Sequence, residues 1–195
     1  MELSPRLYHW FVRPEWFSKL YMDKKLNTLL RDIDFENKSV LDFGCGIGTN
    51  CSFFDSNNYM GVDCDRKRIA YARHRYKHYH FKAVSELPLP IGNNAVDYIF
   101  IMAVLHHIAP ENILIILKEF HRIIKADGKI FIIEPYLSQN YPLNNWFMKT
   151  FDKGKYLQNE EGYLNIFKNQ GYKTKAIKQF KKCMYNELFF IASRF

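Results

Sequence analysis

Residues 39–50 read SVLDFGCGIGTN. Ser39–Phe43 is a short apolar run that ends in a glycine-rich turn, which reads as a buried strand. Working outward, Tyr59–Asp63 (YMGVD) is a second strand, and Asp65 is placed to cap a helix running to about His74. Tyr79–Ala83 is a third strand. Pro88, Pro90 and the Gly92-Asn93-Asn94 turn then form a loop. Val96–Met102 (VDYIFIM) is a fourth strand. Glu111–Ile124 carries Ile113, Leu114, Leu117, Phe120, Ile123 and Ile124 at helical spacing, and the Ala-Asp-Gly at 126–128 is expected to stop it. Lys129–Glu134 (KIFIIE) is a fifth strand.

Strands that alternate with helices imply a parallel sheet with helices on both faces. Near-continuous apolar strands suit burial on both sides. The pattern changes after Pro135. A polar, aromatic loop over 135–158 precedes a short helix, Glu160–Asn169. Two more strands, Thr174–Phe180 and Glu187–Ser193, are close enough in sequence to form an antiparallel hairpin. The expected class is α/β: a mostly parallel, Rossmann-like sheet of seven strands with an antiparallel C-terminal hairpin.

The chain has 195 residues, the length of one domain. The expected organisation is a single domain, 1–195: an N-terminal helical lid over 1–38, a core over 39–135, and a substrate-side segment over 136–195. Hydrophobic residues make up 48% and charged residues 25%, which excludes disordered and fibrous classes. The N-terminus, MELSPRLYHWFVRPEW, is broken by Glu2, Arg6 and Arg13, so no secretory signal is expected. The longest uncharged run holds Gln, three Asn and a second Pro, so no membrane span is expected. Cys45, Cys51, Cys64 and Cys183 form no CxxC pair and match no zinc spacing. Reduced thiols, a cytoplasmic location and no metal are the expectations. His74, His78 and His80 read as a solvated helix end.

The loop at 42–49 decides which ligand is expected. A phosphate-binding P-loop needs Gly-Lys-Ser/Thr, and this loop has no lysine. A dinucleotide fingerprint needs GxGxxG, and its sixth position here is Thr49. What stands is an acidic residue, Asp42, followed by GxGxG. Asp63 ends the second strand, where a carboxylate can accept two hydrogen bonds from vicinal ribose hydroxyls. A ligand that carries a ribose, and needs no pyrophosphate cradle, fits both features.

This pattern resembles the class I S-adenosylmethionine-dependent methyltransferases, with some likeness to the ubiquinone/menaquinone-biosynthesis group. Five stretches carry the resemblance in order: VLDFGCGIGTN (40–50), GVDCD (61–65), SELPLP with AVDYIF (85–100), AVLHHI (103–108) and HRIIKADGKIFIIEP (121–135). The resemblance implies the class I methyltransferase fold, methyl transfer, and S-adenosylmethionine as cofactor, with S-adenosylhomocysteine as product. It implies that Asp42 and the backbone of Gly44, Cys45, Gly46 and Gly48 hold the amino acid part. It implies that Asp63 holds the ribose, that Cys64 packs on adenine, and that Ala83 and Val84 line the adenine edge. Met102 and Ala103 would touch the methionine end. Many relatives carry an acidic residue at the place of Ala83, and this chain does not.

Methyl transfer asks the protein chiefly for positioning and exclusion of water. A base helps only where the acceptor starts protonated. His106 and His107 after the fourth strand, and Glu134 at the end of the fifth, are the candidates for that task. A structural role in the loop is the competing reading for each. Tyr8, Trp10 and Arg13 in the first segment, and Tyr141 and Trp146 in the second, are candidates for an acceptor lid. The formal net charge of +8 gathers in two patches. Arg66, Lys67, Arg68, Arg73, Arg75, Lys77 and Lys82 form one. Lysines 173, 175, 178, 181 and 182 form the other. Solubility explains them, so a small-molecule acceptor leads. An RNA or other nucleic acid acceptor, or a non-catalytic protein that binds S-adenosylmethionine, are the alternatives. The chain is expected to be a monomer or homodimer.

Overall fold

The computed structural model describes residues 24–195 apart from residues 153 and 183. Seven strands form one sheet: β1 (Val40–Phe43), β2 (Tyr59–Asp63), β3 (His80–Ala83), β4 (Val96–Met102), β5 (Ile124–Pro135), β6 (Tyr172–Lys182) and β7 (Tyr185–Arg194). Their order is β3-β2-β1-β4-β5-β7-β6. The pairs β2/β3, β1/β4 and β4/β5 are parallel, whereas β5/β7 and β6/β7 are antiparallel. The expected class is therefore observed. Among the described residues the α-helices are α1 (Lys24–Leu30), α2 (Arg66–Arg75), α3 (Pro110–Ile123), α4 (Pro142–Phe151) and α5 (Glu160–Lys168). Among the described residues, no helix is long and apolar enough to cross a membrane. The chain divides into two units, 24–38 with Cys45–Ser85, and Ser39–Gly44 with Glu86–Phe195.

The first unit is organised by aromatic rings. Tyr59 is 2% exposed and lies among Phe54, Tyr79 and Phe81 at ring separations of 5.4–5.8 Å. Such pairs add to the gain from burying their area. Leu26 and Leu30 of α1 are also buried. Asp65 caps α2, accepting the N–H groups of Lys67 and Arg68, as its position in the sequence predicts. Two short 3-10 turns, Cys51–Phe53 and Ser56–Asn58, stand between β1 and β2. The strand–helix alternation is thus interrupted there.

The second unit has the apolar centre. Ile99–Ile101 of β4 and Ile130–Ile133 of β5 are fully buried, as continuous apolar strands require. Helix α3 opens on Pro110 and buries Ile113, Leu117, Phe120 and Ile123, one stripe at helical spacing. Glu119 on that helix is also buried, and it pairs with Arg122 at 2.6 Å while accepting the Leu89 N–H at 2.7 Å. Arg122 in turn donates to the carbonyls of Leu89 and Ile91, so one ion pair clamps the loop before β4.

Two expectations change. The Ala-Asp-Gly at 126–128 was expected as a stop, yet β5 starts at Ile124 and contains it. The helix ends because Ile124 is already extended (ψ 140°), and Gly128 is required because a Cβ there would lie 2.5 Å from Ile124 Cγ1. The segment expected as a loop over 135–158 contains α4. Its only buried residue is Met148, and Asn144 and Asn145 anchor it instead by bonds to Asn186 and Ser138.

Asp97 is the acid-sensitive point of this unit. It accepts from the Ser39 N–H and hydroxyl and from Lys125 Nζ at 2.8 Å. Burial disfavours its charge, but these donors prevail and hold the pKa at about 2. A depressed carboxyl pKa stabilises the fold above its unfolded value of about 4, and that stability is lost as pH falls toward 2. Asp97→Asn is expected to cost about 2 kcal/mol at pH 7. It should also flatten the acid limb of a plot of Tm against pH between roughly pH 4 and 2. Circular dichroism melts across that range check this.

Candidate active site

In the first unit the site elements meet at the glycine turn. Gly46 has φ +57°, and among the described residues a Cβ built on it would meet nothing within 4 Å. The turn demands glycine, and no described residue fills the space beside it. The Gly46 N–H donates to Asp63 Oδ2 at 2.8 Å, and the Asp65 N–H donates to Oδ1 at 2.9 Å. A carboxylate has about four acceptor positions. These bonds take two and aim the group without exhausting it. The Cys45 thiol is turned inward, against Gly61, and its N–H donates to the Val62 carbonyl. Cys64 is exposed. Ala83 stands in register with Asp63 on β3, and the Val84 N–H donates to the Asp63 carbonyl. Gly48 packs on Phe81 and Ala72.

In the second unit Asp42 lies on β1, 1% exposed and in register with Phe100. Gly44 follows with φ +74°, and a Cβ there would lie 2.5 Å from Val104 Cγ2. Met102 closes β4. Ala103 then takes φ +56°, a left-handed conformation that costs a residue with a side chain about 1 kcal/mol or more.

What holds that bend is Glu134. Its carboxylate is fully buried. Oε1 accepts the N–H groups of Val104 at 2.7 Å and Leu105 at 2.8 Å, and Oε2 lies 2.7 Å from His106 Nδ1. The carboxylate is committed to this loop, so the geometry does not leave it available as a base. His106 is itself 2% exposed. Its Nε2 lies 3.5 Å from Asp152 Oδ1, at the C-terminus of α4. Burial opposes a charged His106, but Glu134, with Asp152 and Glu187, outweighs it and raises the pKa. The His107 ring, exposed, stacks obliquely 4.0 Å from the His106 ring. The chain after α4 closes on the same imidazole. Tyr156 N–H donates to the His106 carbonyl, and a Cβ on Gly154 would lie 2.0 Å from His106 Cδ2.

The structure thus brings together His106, His107 and Glu134, and it adds Asp152. Nothing in the sequence marks Asp152, because it sits past a helix whose apolar stripe is too thin to read. Tyr141 and Trp146 are exposed at and on α4, with Lys181 Nζ 3.5 Å from the Tyr141 ring. Tyr8, Trp10 and Arg13 lie outside the described residues. Among the described residues, His74, His78 and His80 form no metal-binding cluster.

Removing the buried charge should be costly. Glu134→Gln leaves His106 and the loop N–H groups poorly matched, and a broken buried pair costs about 3–5 kcal/mol. The expected outcome is a Tm lowered by roughly 6 °C or more. The His106 ring signal in NMR should also move. An unchanged melting curve would remove Glu134 from this role.

Residues 41–132 match a family model described as a methyltransferase domain. No curated protein sequence matches the chain. Among solved structures, an S-adenosylmethionine-dependent methyltransferase from Aquifex aeolicus is similar at a TM-score of 0.67 and 17% identity. The match covers 97% of this chain and 99% of that one. Magnesium protoporphyrin IX methyltransferase from Synechocystis, with bound S-adenosylhomocysteine, is similar at 0.70 and 16% identity, covering 95% and 88%. A chain of the Haloferax volcanii complex between the Trm112 methyltransferase activator and a methyltransferase is similar at 0.73 and 15% identity, covering 99% and 98%. Residues 41–132 thus match a methyltransferase domain, in a chain with the Rossmann-like fold of the class I S-adenosylmethionine-dependent methyltransferases.

Proposed function

We propose that this chain transfers the methyl group of S-adenosylmethionine to a small-molecule acceptor. The observation that carries the reading is the Gly46–Asp63 pair. Glycine leaves the turn unobstructed among the described residues, and the Asp63 carboxylate keeps acceptor positions for two ribose hydroxyls. Bound S-adenosylhomocysteine in the Synechocystis relative supports the same cofactor here.

Each residue then has a task. Asp42 and the backbone of the Gly44–Gly48 turn receive the amino acid part. Asp63 orients the ribose. Cys64, Ala83 and Val84 border the adenine, and Met102 and Ala103 border the methionine end. S-adenosylmethionine supplies a methyl group on a sulfonium, which the acceptor's lone pair takes as the carbon–sulfur bond breaks, leaving S-adenosylhomocysteine. The protein aligns the two and excludes water. Glu134 acts as a positioning residue through the loop. His107, exposed beside the buried His106, would take a proton from a protonated acceptor. Tyr141 and Trp146, with Tyr8, Trp10 and Arg13, would line the acceptor.

The Synechocystis relative acts on a magnesium porphyrin, which favours a small acceptor. The Haloferax relative occurs with an activator protein, so a protein partner is compatible with this fold. Thiols outside any disulfide at Cys45, Cys51 and Cys64 suit a reducing, cytoplasmic setting.

Calorimetry with S-adenosylmethionine and S-adenosylhomocysteine tests the reading. Binding is expected, and Asp63→Ala should weaken it about 10–100-fold, the loss of a charged hydrogen-bond acceptor. Absence of binding, or an unchanged Asp63→Ala affinity, would sink the cofactor assignment. Incubation with isotopically methyl-labelled cofactor and metabolite extracts, or with cellular RNA, then identifies the acceptor. Label in RNA alone would overturn the small-molecule reading.

A further inference from the structure

We propose that His106, His107 and Asp152 form a binding site for a divalent transition-metal cation, with Glu134 as the buried carboxylate that orients His106. One ligand atom from each of the three residues lies within 4.8 Å of the others. Ligand atoms bonded at about 2 Å to one tetrahedral ion stand about 3.3 Å apart. An inward adjustment of about 1.5 Å at most therefore assembles the set. His107 is exposed, and rotation of its ring can supply that movement.

Three observations point to a cation rather than to a chance cluster. The first is the orientation of His106. Its Nδ1 faces the Glu134 carboxylate at 2.7 Å. Metal-binding imidazoles commonly donate their second N–H to a carboxylate in this way, which directs the other nitrogen's lone pair at the ion. The second is what the other nitrogen meets. Nε2 faces Asp152 Oδ1 at 3.5 Å, with the imidazole 3% and the carboxylate 12% exposed, and that oxygen also accepts the Gly154 N–H. A cation placed there takes a ligand atom from each of the three residues at once. The third is the covering segment. Gly154 lies so close to the His106 ring that no side chain fits, and Tyr156 bonds the His106 carbonyl. The chain after α4 is therefore built tightly onto this imidazole and presents Asp152 to it.

Two imidazole nitrogens and one carboxylate oxygen suit zinc, cobalt, nickel or ferrous iron better than magnesium or calcium, which prefer all-oxygen sites. Three protein ligands leave at least one position for water or for an oxygen of a substrate, as in metal sites that do chemistry. The site also ties the loop after β4 to the end of α4. It stands on its own observations, apart from the cofactor reading.

The test uses the full chain, with any affinity tag removed, stripped with a chelator and free of S-adenosylmethionine. Cobalt titration should give visible d–d bands that saturate at one equivalent, and zinc should abolish them. Asp152→Asn and His107→Ala should each weaken cobalt binding about 10–100-fold, and so should Glu134→Gln if it folds. The first two alter partly or fully accessible side chains, so they carry the test if Glu134→Gln does not fold. His78→Ala should change nothing. Failure to bind one equivalent, or binding that Asp152→Asn and His107→Ala leave intact, overturns the proposal. Because the readout is metal binding, such a failure leaves the methyl-transfer reading standing, and a failure of that reading leaves this one standing.

Discussion

A buried carboxylate is costly unless donors surround it. Glu134 is surrounded: two backbone N–H groups at 2.7 and 2.8 Å and an imidazole nitrogen at 2.7 Å. The rest of the second unit follows from meeting that demand. The chain after β4 must turn at once so that Val104 and Leu105 present their N–H groups, and Ala103 takes the left-handed bend that this requires. Val104 then fills the place beside Gly44, which is why the first glycine of the turn admits no side chain. His106 is carried inward, and Asp152, Gly154 and Tyr156 lie against it.

The Asp63 carboxylate does a similar task in the first unit with an opposite result. It takes the Gly46 and Asp65 N–H groups, but it stays partly exposed. One carboxylate is consumed by the fold and the other is oriented by it. That difference separates a positioning group from a binding group. The aromatic excess divides in the same manner. Tyr59, Tyr163 and Tyr172 are buried, and the last two donate to the carbonyls of Pro135 and Leu117. Trp146 and Phe151 on α4 stay exposed.

Much of the fold was legible because its signals are local. The bounds of β2 and β4 match their apolar runs. Asp65 caps α2 because its side chain needs only neighbouring N–H groups. β6 and β7 pair as a hairpin because only a short turn separates them. Helix α4 was illegible for a physical reason. Its anchors are side-chain hydrogen bonds from Asn144 to Asn186 and from Asn145 to the Ser138 carbonyl, so it needs no broad apolar stripe. The start of β5 was hidden because Gly128 serves a close contact with Ile124 and not a turn.

The candidate site shows the same boundary. The sequence by itself determined the succession of strands along the chain, the glycine turn after β1, the placement of Asp42 and Asp63 at strand ends, and the His106-His107 pair after β4. These depend on spacing along the chain, which backbone geometry converts directly into position. Only the tertiary structure decided that Glu134 is spent on the loop, that His106 is buried while His107 is exposed, and that Asp152 joins them. Those outcomes depend on which side chains share a low-dielectric interior. There a charge must find its partners in space, and 28 residues separate His106 from Glu134 along the chain.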